Sequence, residues 1–133
     1  MDRTRQISLD FAPSAIPQSI WVKQYDMYSR FIKVQLMKDY ANFTPENGVK
    51  FVFRCQRPDG VAITEDSAAY ISSLSRYLVT NLGGGLIQIE LNDEALAVPG
   101  RCWCDLCLEK DEKTLSTDPF VLEVVWSPAP PDV

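Results

Sequence analysis

Three cysteines stand close together as Cys102-x-Cys104-x-x-Cys107, and a fourth, Cys55, lies far upstream. Four thiolates can hold zinc tetrahedrally, and such sites add folding energy. The surrounding pattern argues against that use. Residues 101 to 110 alternate as a strand does, so Cys102 and Cys104 project from one face and Cys107 from the other. Zinc ligands converge to about 2.3 Å from one ion, which only a bulge or knuckle turn in this strand would permit. Cys55 also lacks the second Cys-x-x-Cys knuckle that structural sites pair with the first. The expectation is unmetallated thiols acting as small buried hydrophobes, and no cofactor.

Histidine is absent from all 133 residues. That removes Ser-His-Asp and Cys-His nucleophiles, His-ligated metals and imidazole acid–base chemistry. An enzyme would have to run on carboxylates, cysteines, lysines or tyrosines. The carboxylate pairs Glu65-Asp66 and Asp93-Glu94 fall next to strand ends and read as solvated turn residues, with nothing nearby to split their pKa values. A glycosidase needs two carboxylates across a cleft, and a small β-domain does not readily offer one. Gly83-Gly84-Gly85 is followed by no Lys-Ser/Thr and no helical pattern, so it predicts a hairpin turn and not a phosphate loop. No enzyme is expected.

Binding chemistry is the remaining class. Trp21, Tyr25, Tyr28 and Phe31 crowd one segment, with Arg30 among them. Trp, Tyr and Arg anchor protein interfaces because they bury much area and keep a polar handle. Trp21, Tyr25, Tyr28 and Arg30 are therefore the candidate partner-binding residues. The alternative is a sugar-stacking platform built on Trp21, Tyr25 or Trp103. A net charge of −5 without a Lys/Arg cluster speaks against nucleic acid and against anionic membrane surfaces. No window approaches 18 apolar residues, and Met1 to Gln6 lead into no apolar signal region. The chain is expected to be made and kept in a cytoplasm unless it leaves inside a larger particle.

The elements that must position these residues are strands. Ile7, Leu9 and Phe11 share a face, as do Ile32, Val34 and Leu36, then Val49, Phe51, Phe53 and Cys55. Arg57-Pro58-Asp59-Gly60 is a turn, with Val61 to Thr64 returning as a strand. Leu86, Ile87, Ile89 and Leu91 make another strand. Asn92 to Leu96 suit a single capped helical turn. Lys110-Asp111-Glu112-Lys113 reads as a solvated hairpin tip, and Phe120, Leu122, Val124 and Trp126 as the last long alternation. Residues 66 to 75 suit either a helical turn or an irregular loop. About seven or eight short strands without an ordinary amphipathic helix predict an all-β, antiparallel β-sandwich, a closed barrel being the nearest alternative. The expected organisation is one domain over 1–127 and a proline-rich tail over 128–133.

The order of segments resembles the N-terminal domain of phage baseplate upper proteins, found in tailed phages and prophages of Gram-positive hosts. The resemblance runs from Gln24-Tyr25-Asp26 and Ser29 to Leu36, through Val49 to Phe53 and Arg57 to Gly60. It continues over Leu86 to Leu91 and Ala95 to Gly100, and ends with Leu115 to Val124. It implies an immunoglobulin-like β-sandwich that plugs a host-recognition organelle into the tail core. It implies a structural, non-enzymatic connector, with tail or baseplate partners such as a distal-tail protein and with copies of itself. The location implied is the virion tail baseplate, with assembly in the host cytoplasm. Two departures stand out: family members are usually longer, so that this chain is a free-standing version or a fragment, and the cysteine cluster is not part of the family pattern.

Overall fold

The computed structural model describes residues 5–12, 17–24, 31–72 and 76–127. The proline-rich 128–133 stretch lies outside them. Strands β1 (Arg5–Asp10), β2 (Ser19–Lys23), β3 (Phe31–Lys38) and β4 (Ala41–Asn42) open the chain. Next come β5 (Lys50–Gln56) and β6 (Ala62–Asp66), then a small ribbon of β7 (Tyr70–Ile71) and β8 (Arg76–Tyr77). β9 (Val79–Gly83) and β10 (Leu86–Glu90) form a hairpin, followed by β11 (Gly100–Lys110), β12 (Lys113–Ser116) and β13 (Phe120–Val125).

Turn chemistry explains where the chain reverses. The β3–β4 and β11–β12 hairpins each carry two consecutive residues at positive φ, Asp39 and Tyr40 in one, Asp111 and Glu112 in the other. Such two-residue turns match the right-handed strand twist. Asp10 helps hold the first, its carboxylate accepting the amides of Ala12 and Tyr40 at 2.9 and 3.0 Å. The Arg57-to-Gly60 turn closes as expected, Gly60 N–H donating to the Arg57 carbonyl at 2.9 Å. The triple glycine is a hairpin turn. Gly85 needs to be glycine twice over, because its φ is +81° and a Cβ there would collide with the Phe43 carbonyl.

Two sheets result. The first runs β1-β3-β10-β9, with β4 beside the end of β3; the second runs β2-β13-β11-β5-β6, with β12 on β11. They face each other across one apolar cluster. Leu9, Ile32, Val34, Leu36, Ile87 and Ile89 come from the first sheet, and Phe51, Phe53, Leu106, Leu108, Phe120, Leu122 and Val124 from the second. The expected core residues Ile32, Val34, Leu36, Phe51, Phe53, Ile89, Leu91, Leu122 and Val124 are each at most 4% exposed. The β-sandwich inferred from alternation is the fold.

Details of pairing differ from that inference. β1 pairs with β3, and β2 with β13, in parallel; every other pairing among the described residues is antiparallel. The N-terminal segment divides between the two sheets and adds one edge strand to each, a long-range choice that alternation does not encode. The described strands number thirteen because β2, β12 and the two-residue β4, β7 and β8 join those expected. Residues 70–71 are strand, so the helical-turn option for 66–75 does not hold there. Asn92 caps its turn as expected, its Oδ1 accepting Ala95 N–H at 2.8 Å, but residues 93–96 form turns and no helix.

Phe53→Ala and Leu122→Ala each remove a fully buried side chain, and each should lower the unfolding free energy by about 2–5 kcal/mol in urea titration.

Candidate functional site

β11 places alternate residues on opposite faces, and Trp103 projects away from the core. Its cross-strand partners are Val121 on β13 and Gln56 on β5. In the next pair along, Arg101 faces Glu123, which in turn faces Trp21 on β2. Trp21 and Trp103 therefore sit diagonally across β13 on one outer face, their Cα atoms about 12 Å apart by strand spacing and rise. They are 63% and 46% exposed.

The charges around them cancel locally. Arg101 donates to Glu123 at 2.8 Å, and Arg54 forks onto Asp105 at 2.8 and 2.5 Å. Lys50 lies between Asp66 and Glu109 at 3.3 and 3.5 Å. A chain with net charge −5 thus presents an outer sheet face on which Asp66, Asp105, Glu109 and Glu123 are each met by a cation. A neutral aromatic surface of this kind can be desolvated by a partner at low electrostatic cost.

Trp126 corrects the sequence reading. The last alternation was expected to run through Trp126, yet β13 ends at Val125 and Trp126, just past it, is 68% exposed. Parity holds only while the strand lasts. All three tryptophans of the chain are therefore exposed, Trp103 the least. Of the expected partner-binding residues, Trp21 is exposed on β2, whereas Tyr25, Tyr28 and Arg30 lie outside the described residues.

The cysteines divide as the strand argument requires. Cys55, Cys102 and Cys104 point into the core, Cys55 directly opposite Cys104. Cys107 is on the other face, buried beside Ser116 at 3.3 Å, because β12 folds against β11 there. The four cannot converge on one ion. Hydrogen bonding with Cys102 lowers the Cys55 pKa, but contact with Cys104 and burial outweigh it and push the thiol up to about 12. Cys102 is raised first by its hydrogen bond with Cys55 and then by burial. Protonated, buried thiols are poor nucleophiles.

Glu65 is a second correction. It is not a solvated turn carboxylate: it faces inward from β6 and is 4% exposed. Burial is the main cause that lifts its pKa to about 8, the Asn92 amide opposes this, and nearby Glu90 adds to it. Glu90 is itself buried, held by Arg76 at 2.7 and 2.6 Å. Two carboxyls in different environments are the raw material of acid–base catalysis. Here the second Glu65 oxygen is fully buried, so no substrate reaches it in this conformation. Glu65 stands two residues beyond the buried Ile63 on β6 and so shares its inward parity.

No protein-family model matches the chain, and no curated protein matches it either. Among solved structures it is similar to the N-terminal domain of phage TP901-1 ORF48, with a TM-score of 0.60 and 16% identity. The match covers 92% of this chain and 98% of that one. The fold is shared. The resemblance to phage baseplate N-terminal domains, drawn from the order of segments, is thus met by the arrangement of the strands, at an identity where sequence alone carries little.

Two outcomes follow for the purified protein. Trp21→Ala and Trp103→Ala should each change stability by no more than about 0.5 kcal/mol, as exposed positions do. A thiol-specific reagent should modify none of the four cysteines rapidly in the native state and all of them after denaturation, followed by absorbance of the released thiolate.

Proposed function

We propose that this chain is a non-enzymatic structural adaptor of a phage or prophage tail baseplate, joining other tail proteins by protein–protein contact. The single observation that carries the reading is the near full-length likeness of fold to the N-terminal domain of phage TP901-1 ORF48. The outer face bearing Trp21 and Trp103 supports it independently, since surface tryptophans on a charge-balanced sheet are what an interface core requires. In this reading the docking surface takes in Trp21, Trp103 and Trp126, with Tyr25, Tyr28 and Arg30 following Trp21 in the chain. The partner is a tail-core protein such as a distal-tail protein, and further copies of the chain sit beside it in the particle. Assembly takes place in the host cytoplasm.

The test is capture of the distal-tail protein encoded beside this chain, measured by calorimetry with wild type, Trp21→Ala and Trp103→Ala. Each substitution should weaken binding by about 2 kcal/mol, roughly thirtyfold. Their melting midpoints should stay close to wild type. Absence of any affinity for neighbouring tail proteins, together with tryptophan-dependent binding of a cell-wall polysaccharide, would replace the adaptor with the sugar-binding platform.

A further inference from the structure

Residues 91–99 carry the chain from β10 in the first sheet to β11 in the second. This crossover buries Leu91, Ala95 and Leu96 yet contains no strand pairing of its own. Polar contacts pin it at residues 92, 94 and 97, among others. Glu65 Oε1 accepts the Asn92 amide at 3.0 Å, Arg57 Nη1 donates to the Glu94 carbonyl at 3.1 Å, and Gln24 Nε2 donates to the Ala97 carbonyl at 2.7 Å. Of these, only the Glu65 contact depends on a buried titratable group.

That group is poorly placed to carry a charge. Glu65 Oε2 is buried and has no hydrogen-bond partner among the described residues. From β10 the facing charge is Glu90, of like sign, and Arg76 from β8 is engaged by Glu90. From β5 the facing group is Cys55, whose thiol stays protonated. On β6 itself Asp66 turns to the opposite face, where it meets Lys50. From the crossover, Asp93 and Glu94 are exposed, and Arg57 forks onto Asp59 at 3.0 and 2.6 Å. An ionised carboxylate here would be buried with no compensating cation among the described residues, which is unfavourable unless water is admitted.

We propose that Glu65 is a protonation-operated latch: neutral, it holds the 91–99 crossover against edge strand β6, and on ionising it lets that crossover open to water. The closed form binds the proton more tightly than the open form, in which the carboxyl is solvated. Closure is therefore strongest in acid. It weakens by about tenfold per pH unit as pH rises from the ordinary carboxylate range towards the Glu65 value, and levels off above that value. Because Gln24, next to the end of β2, also holds Ala97, opening reaches the end of the sheet that carries Trp21. That consequence for docking rests on the adaptor reading; the latch does not.

The experiment is NMR-detected hydrogen exchange of the isolated chain from about pH 5 to about pH 9, expressed as protection factors so that the intrinsic pH dependence is removed. In wild type, the Asn92, Ala95 and Ala97 amides should lose protection by about tenfold per pH unit up to about pH 8. They should stay at least about tenfold less protected than the core amides of Phe53 and Ile87. In Glu65→Gln, whose side chain stays neutral and keeps an oxygen for Asn92, crossover protection should be flat with pH. Flat protection in wild type, or crossover amides that track the core amides throughout, would overturn the latch. A titration of the Glu65 carboxyl carbon in the unmodified protein guards against a variant that fails to fold: a midpoint in the ordinary carboxylate range overturns the proposal whatever the variant does.

Discussion

A strand of eleven residues that pairs with β13, β5 and β12 must satisfy three neighbours at once, and the register in which β11 does so governs most of what this protein presents. Side chains alternate with a period of two residues, so a slip of one position would exchange the faces. In the observed register Cys102, Cys104, Leu106 and Leu108 enter the core. Trp103 and Asp105 face outward instead, and the same parity leaves Cys107 under β12. Burial of the inner set makes the register costly to change, and the outer tryptophan is held in place by that cost.

The outer face then follows from electrostatics. Strand residues that cannot be apolar without inviting aggregation are charged, and the register sets opposite charges directly across from one another: Arg101 with Glu123, Arg54 with Asp105. Exposed pairs of this kind add little stability, of order 0–1 kcal/mol each. Their larger effect is to pair the strand carboxylates near Trp21 and Trp103 with cations, which lowers the cost of covering that face. Exposed tryptophans are an unfavourable choice for a chain selected only to remain monomeric, and the proposed docking surface is placed here because Trp21 and Trp103 share this face.

Glu65 breaks the local rule that edge strands show charge outward and hide apolar groups inward. An inward charge on an edge strand is a recognised way to discourage pairing with a foreign strand, and β6 is the last strand of its sheet. In this fold the carboxyl also spans the gap between sheets by accepting the Asn92 amide. Keeping it neutral is the least costly state, so one side chain joins the crossover to the second sheet only under the conditions in which it holds its proton.

The sequence by itself determined everything that depends on a single strand or a single turn. Alternation named the inner residues from Ile32 to Val124, separated Cys107 from Cys102 and Cys104, and set Trp103 outward. Turn chemistry located the reversals at Arg57 to Gly60, at the three glycines and at Lys110 to Lys113. Those features come from steric and hydrogen-bonding preferences that act within a few residues. Tertiary structure alone decided the parallel docking of β1 and β2, the burial of Cys107 and the exposure of Trp126. It also decided the desolvation of Glu65. Each of these depends on which distant segment lies alongside, or on where a strand stops, and a periodic pattern carries no record of its neighbours.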